Sequence, residues 1–179
     1  GGQIADMGGA YIAVAGILAA LFRRERTGQG GFIDTSLAES ALPFNIYNWT
    51  EAAAVGSGAG TGHLTGGLAY YRVYRALDGV AVALAALEEK FWRSFCTAVA
   101  RPDLIALHGR ADAQPALVAE LARLFASRTA AEWDADLTPA DCCFSVVSNT
   151  STVHESPQFQ SRGMMGLDDD GQPFMRSDR

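Results

Sequence analysis

Positive charge is scarce and scattered in this sequence: 14 lysines and arginines stand against 20 aspartates and glutamates, for a formal net charge of -6. The densest basic cluster, Arg23, Arg24 and Arg26, closes an apolar helix pattern, where cations complement the negative end of the helix dipole. No basic stripe of the kind that tracks phosphates is present, so no nucleic acid partner is expected. Cysteine is equally sparse. Cys96, Cys142 and Cys143 are odd in number and two are adjacent, which argues against a disulfide framework and for a reducing, cytoplasmic setting. No CxxC, HExxH or EF-hand spacing occurs, so no metal is expected, and Asp168-Asp169-Asp170 reads as a solvated turn. Long apolar runs are missing too. The charge-free stretch Ala10 to Phe22 is shorter than the roughly 20 residues a membrane span needs, and it lacks the flanks of a signal peptide. A buried helix, with no membrane partner, is the expectation.

What the chain does contain is a folding composition, 49% hydrophobic and 19% charged, outside the range of disordered chains. It begins at Gly1 and enters a helical pattern almost at once, which reads as an internal piece of a longer protein. Asp6 stands where an N-cap would, before a helix over Met7 to Arg26 that is apolar nearly all round and is expected to be buried on several sides. Thr27-Gly28-Gln29-Gly30-Gly31 ends it. Phe32 to Thr35 follows as a short strand, giving the αβ half of a parallel-sheet unit. Leu37 to Val55 reads as a helix interrupted by Pro43, and Gly56 to Gly67 as a glycine-rich linker or a loop that approaches a ligand.

Beyond the linker the pattern changes. Ala69 to Ala76 and Val80 to Ala86 predict two strands joined by the Asp78-Gly79 turn. Glu88 and Glu89 open an amphipathic helix carrying Phe91, Trp92 and Phe95, a stripe that suits core packing. Further helices are expected at Gln114 to Ser127, Ala130 to Leu137 and Val153 to Arg162. Cys143 to Val147 predicts a strand, and Asp168 to Gly171 a turn between two closing strands.

Carboxylates at two places could carry chemistry. Asp6 at a helix start can be a cap, or, beside Gly8 and Gly9 that let a ligand come close, a base or nucleophile. Glu88 and Glu89 complement a helix dipole, yet they sit at a strand-to-helix junction, where active-site groups also gather. The histidines fit chemistry less well. His63 lies in the glycine-rich stretch, and His108 and His154 sit in polar surroundings and are expected to be exposed.

Several stretches together resemble the family III CoA-transferases, the CaiB/BaiF group that includes the α-methylacyl-CoA racemases. They are Gln3-Ile4-Ala5-Asp6-Met7-Gly8-Gly9 with Gly16 to Ala20; Arg26-Thr27-Gly28-Gln29-Gly30 with Asp34; Leu64-Thr65-Gly66-Gly67, Tyr70 to Tyr74 and Asp78-Gly79; and Ala86-Leu87-Glu88-Glu89-Lys90-Phe91-Trp92. Glu132-Trp133 and Asp141-Cys142-Cys143 fit as well. Glu89 and Ser145 depart from it, standing where proline is common.

The resemblance implies an α/β fold: residues 1–40 as the C-terminal part of a Rossmann-like CoA-binding large domain, 41–68 as connecting helix and glycine-rich linker, 69–165 as a small α+β domain, and 166–179 as a return segment toward the large domain. It implies a homodimer interlocked like chain links, with the active site between domains. Its substrates would be acyl-CoA thioesters, with coenzyme A part of the substrate rather than a resident cofactor. Asp6 matches the family's essential aspartate, an acyl carrier in the transferases and an acid/base group in the racemases. The racemase partner, an upstream histidine, is not among residues 1–5. Glu88 matches a glutamate that supports that histidine. Gly8, Gly9, Gly66, Gly67 and Tyr70 are the expected substrate-binding positions. The Leu64-x-Gly66-Gly67-x-x-Tyr70 pattern and Glu88 favour the racemase branch, with CoA transfer as the alternative, or a catalytically incomplete fragment.

Overall fold

The structure, a computed structural model, describes residues 2–56 and 60–175. Its first element, α1 (Ile4–Thr27), is free of proline and rich in alanine and leucine despite Gly8, Gly9 and Gly16, and it owes its end to Gly28, which adopts a left-handed φ of 71° and donates its N–H to the Arg24 carbonyl at 2.8 Å. That αL stop is the one expected of glycine. The helix starts earlier than the sequence predicts. Gln3 is the N-cap and Asp6 lies inside the first turn.

After an extended segment come α2 (Leu37–Ala41), a 3-10 turn at Leu42–Asn45 carrying Pro43, and α3 (Ile46–Val55). The Ser36 hydroxyl accepts the Glu39 N–H at 3.1 Å, which caps α2. The interruption at Pro43 follows from its missing N–H. Phe32 to Thr35, expected to be a strand, is instead extended backbone with no ladder partner, and no parallel strand pair occurs among the described residues.

The chain resolves into two compact units, residues 1–62 and 63–179. α2, the 3-10 turn and α3 fall with α1 in the first. Within that unit α1 buries Gly8 and Gly9 against α2 and the 3-10 turn, while Tyr11, Leu18 and Phe22 stay exposed. The expectation that α1 is enclosed on several sides therefore fails in this chain. By length and composition the whole of α1 could cross a membrane, although its charge-free middle alone is shorter than a span.

The second unit is α+β. β1 (Tyr71–Arg75) and β2 (Ala81–Ala85) form an antiparallel hairpin in which Tyr71 faces Ala85 and Arg75 faces Ala81. Gly79 supplies the φ of 77° its turn requires. Next come α4 (Glu89–Ala98), α5 (Gln114–Phe125) and α6 (Ala130–Leu137). Thr129 and Glu132 form a capping box at the start of α6. β3 (Phe144–Val146) then adds antiparallel to β2, giving the sheet order β1-β2-β3. Short 3-10 turns at Pro102–Leu107 and Ala111–Ala113 link α4 to α5.

The alternation of β2 drives Val82 and Leu84 inward, where they meet Trp92, Phe95, Leu121 and Phe125 in one apolar cluster. The aromatic stripe is core, as its spacing suggests. Truncating one such fully buried leucine costs about 2–5 kcal/mol. A 3-10 turn at Val153–Glu155, α7 (Pro157–Ser161) and the hairpin β4 (Met165–Leu167) with β5 (Pro173–Met175) complete the unit.

Candidate functional site

Two sets of candidate residues emerge, one in each unit. The first sits at the start of α1. Asp6 is exposed in the first turn and is not the N-cap; Gln3 holds that place without a side-chain bond. The first N–H groups of a helix have no intrahelical partners, so a carboxylate among them lies in favourable field. Gly8 and Gly9 admit neighbouring side chains. A Cβ on Gly8 would come within 2.8 Å of Phe44 Cε2, and one on Gly9 within 2.6 Å of Leu37 Cδ2. Within this chain, what these glycines let close is α2 and its 3-10 extension. Their absent side chains let the segment after α1 fold back beneath the turn that carries Asp6.

The second set gathers at one end of the three-stranded sheet, where β1 begins, β2 ends and β3 begins. Gly66 takes a φ of 99° that only glycine adopts easily. The Arg72 guanidinium donates to its carbonyl and ties the Gly66-Gly67 turn to β1. Tyr70 is enclosed, 3% exposed. Its ring lies 5.5 Å from that of Trp92 and 4.7 Å from that of His108, and its hydroxyl accepts the Gly109 N–H at 3.2 Å. Tyr70 thus contributes to the frame beneath the surface, whereas Gly66 and Gly67 are half-buried.

Glu88 is exposed and is the N-cap of α4, with extended backbone at φ -81°, ψ 143°. Its side chain makes no capping bond. Its carbonyl accepts from Phe91 and Trp92 at 3.0 and 3.1 Å, the normal start of a helix. Cys143 lies at the same end, its carbonyl accepting the Ala85 N–H at 2.9 Å. Burial pushes the Cys143 thiol up, the negative charges of Glu88 and Asp141 push it further, and Lys90 opposes them. Asp141 and Cys143 both adopt left-handed φ, 49° and 56°, conformations that cost energy for residues with a Cβ.

His108 was not expected here. It is half-buried, and its Nε2 lies 3.0 Å from the Leu87 carbonyl, one residue before Glu88. His154 is likewise half-buried rather than exposed, with Nδ1 enclosed and unpartnered. No local pattern signals either position, since both depend on contacts made by the folded chain. Glu88, Tyr70, Gly66 and Gly67 therefore share one neighbourhood with His108 and Cys143, while Asp6, Gly8 and Gly9 belong to the other unit. Among the described residues no group of three or more His, Cys, Asp or Glu is placed to hold a metal ion. One hollow of about 200 Å³ beside the second half of α1, lined by Ile17, Leu21, Arg24 and Ile33, and another of about 450 Å³ beside Arg93, Thr97 and Ala140, include none of the candidate residues.

Each unit thus carries one exposed carboxylate at a helix start, Asp6 in the first and Glu88 in the second. The chain is 32% identical to a succinyl-CoA:mesaconate CoA-transferase of Haloarcula hispanica, over 92% of its own length and 42% of that protein's. It is 29% identical to the human alpha-methylacyl-CoA racemase, over 87% of its length and 42% of that protein's. The chain thus spans under half the length of these relatives. A solved CAIB/BAIF family protein from Brucella suis superposes with a TM-score of 0.67 at 26% identity, covering 98% of this chain and 48% of that one. The family model for CoA-transferase family III matches residues 1–176, and the chain belongs to that family.

Proposed function

We propose that the whole protein acts on acyl-CoA thioesters as an α-methylacyl-CoA racemase-like epimerase, exchanging the proton on the carbon next to the thioester carbonyl. The observation that carries this reading is Asp6, an exposed carboxylate in the first turn of a 24-residue helix, in a segment that resembles the family's aspartate motif. A carboxylate there can take the α-proton, because the thioester delocalises the resulting charge onto its oxygen as an enolate. Return of a proton to the opposite face of the same carbon inverts it. In the racemases the second acid/base group is a histidine, and Glu88 is assigned to its support. Gly66 and Gly67 hold the thioester by close backbone approach, with Tyr70 beneath them. Gly8 and Gly9 set the turn bearing Asp6. Coenzyme A arrives as part of the substrate and no metal takes part. A cytoplasmic homodimer fits the three free cysteines and the interlocked pattern of the family.

The test is α-proton exchange in D2O with an α-methylacyl-CoA and the whole protein. Deuterium enters the α-carbon at the turnover rate, and Asp6→Asn reduces the rate about 10³-fold, within the range for losing a general base. Coenzyme A exchange between acids without deuterium incorporation would overturn the reading.

A second reading is supported by the 32% identity to a CoA-transferase. Here the Asp6 carboxylate attacks the thioester carbonyl, the CoA thiolate leaves, and a mixed anhydride remains on Asp6. The thiolate then attacks the Asp6 side of that anhydride, releasing the acyl group as its acid and leaving an aspartyl-CoA thioester for the incoming acid. Hydroxylamine added during turnover converts Asp6 to its hydroxamate if this path operates; an unmodified Asp6 under turnover excludes it.

A further inference from the structure

We infer that His108 is a positioning residue for Glu88, acting through the Leu87–Glu88 peptide group. The proposal rests on the reading above, in which the Glu88 carboxylate serves the reaction. Its basis is geometric. A carbonyl can only accept, so the 3.0 Å contact between His108 Nε2 and the Leu87 oxygen requires the imidazole to carry a proton on Nε2 and to donate it. The Leu87 carbonyl and the Glu88 N–H belong to one rigid peptide plane. Holding that oxygen therefore fixes the plane from which the Glu88 side chain departs. The other side of Leu87 is also held, its N–H donating to the Ala85 carbonyl at 2.9 Å at the end of β2. Among the described residues Glu88 itself is held through its carbonyl, by Phe91 and Trp92, and its side chain makes no cap.

His108 is fixed in turn. Its ring lies against buried Tyr70 with centroids 4.7 Å apart. Its N–H donates to Ile105 at 3.2 Å, and the next N–H, that of Gly109, donates to the Tyr70 hydroxyl at 3.2 Å. A chain of contacts thus runs from the core, through Tyr70 and His108, to the peptide that presents an exposed catalytic candidate. A carboxylate needs such support, since misplacement of about 1 Å can cost on the order of 10²-fold in rate. This also gives buried Tyr70 a part in the site that requires no contact with substrate.

The experiment uses the whole protein and the α-proton exchange assay, with His108→Phe, His108→Gln, Glu88→Gln and the His108→Phe/Glu88→Gln double variant. His108→Phe keeps a ring against Tyr70 and removes the donor; His108→Gln returns an N–H donor at similar reach. His108→Phe is expected to lower kcat about 10-fold to 100-fold with KM changed less than about threefold, and His108→Gln to recover most of the loss. In the Glu88→Gln background His108→Phe should cost almost nothing further, since its effect passes through the carboxylate. Equal rates for the Phe and Gln variants, or losses that multiply in the double variant, would overturn the positioning role while leaving Glu88 in place. A Glu88→Gln protein with unchanged rate would instead remove Glu88 from the reaction and this proposal with it.

Discussion

The hydroxyl of Tyr74 donates to the carbonyl of Ala69 at 2.6 Å, and both residues are buried. The Ala69 N–H is held as well, by Gln114 Oε1 at 2.9 Å, while Gln114 Nε2 donates to Arg110 at 2.9 Å. One residue at the entry to β1 therefore has both backbone groups satisfied by side chains from β1 and α5. The entry follows directly on the Gly66-Gly67 turn, so this buried clamp sets the direction in which the half-buried glycines leave the sheet. Burial raises the Tyr74 phenol well above its ordinary range, which keeps its proton in place as donor.

Tyr74→Phe should destabilise the protein by about 1–3 kcal/mol, the cost of leaving a buried carbonyl without its donor. Ring packing against Phe125, with centroids 5.0 Å apart, survives the change. Chemical denaturation should show a lower midpoint with an unchanged slope. No shift of midpoint would mean that Ala69 finds another donor.

Asp78 joins two elements that are distant in sequence. Its Oδ1 accepts the Val80 N–H and its Oδ2 the Ala130 N–H, each at 3.2 Å, so the hairpin turn also serves the first residue of α6. Asp78→Ala should cost about 1–2 kcal/mol, as loss of a helix-terminal acceptor typically does. Asp78→Asn, which keeps one acceptor, should cost less. An Asp78→Ala midpoint equal to that of the wild type would show that neither contact adds to stability.

Asp78 also marks what was legible from sequence. The Asp-Gly turn, the flanking alternation and the helix over Ala130–Leu137 could be read because each is decided by neighbours along the chain. The stripe Trp92 and Phe95 was legible for the same reason, since helical spacing alone turns both inward. Phe32 to Thr35 was misread because a strand exists only as a pair, and β-prone residues without a ladder remain extended backbone. Asp6 was placed one turn too far out, as several residues near a helix start satisfy the same preferences. His108 was invisible: its polar neighbours suggest solvent, while its partner, Leu87, lies 21 positions away in sequence. Of the site, the motifs at Asp6 and Glu88 stood out by resemblance, and their supporting contacts did not.

The buried thiols give the protein an alkaline limit. Burial pushes Cys96 up to about 12 and Cys142 up to about 11, from 9.0 in each case. The folded state thus keeps protons that the unfolded chain releases as pH rises. The stability they contribute is complete below about pH 9 and is lost as pH climbs from there through 11 and 12. Unfolding free energy measured from pH 8 upward should fall beyond pH 9. Replacing both cysteines with alanine should lessen that decline and leave the part due to the buried Tyr74 phenol, whatever it does to stability at pH 8; an equally steep decline would place its whole cause outside the thiols.

Cys143 offers a direct reading of the Glu88 carboxylate. The thiol is half-buried, and the Glu88 charge is among the influences that disfavour its thiolate. Alkylation proceeds through the thiolate, so at a fixed pH near 8 the rate depends on how far that charge reaches. Glu88→Gln removes the charge with little change in volume and should speed alkylation of Cys143 severalfold. Lys90→Gln removes an opposing positive charge and should slow it. Mass spectrometry of peptides containing residue 143 resolves both rates, and buried Cys96 in the same protein, expected to stay unreactive, controls for unfolding. Identical rates in the wild type and both variants would mean that the Glu88 carboxylate points away from the start of β3. It would then stand apart from the end of the sheet where Gly66, Tyr70 and His108 meet.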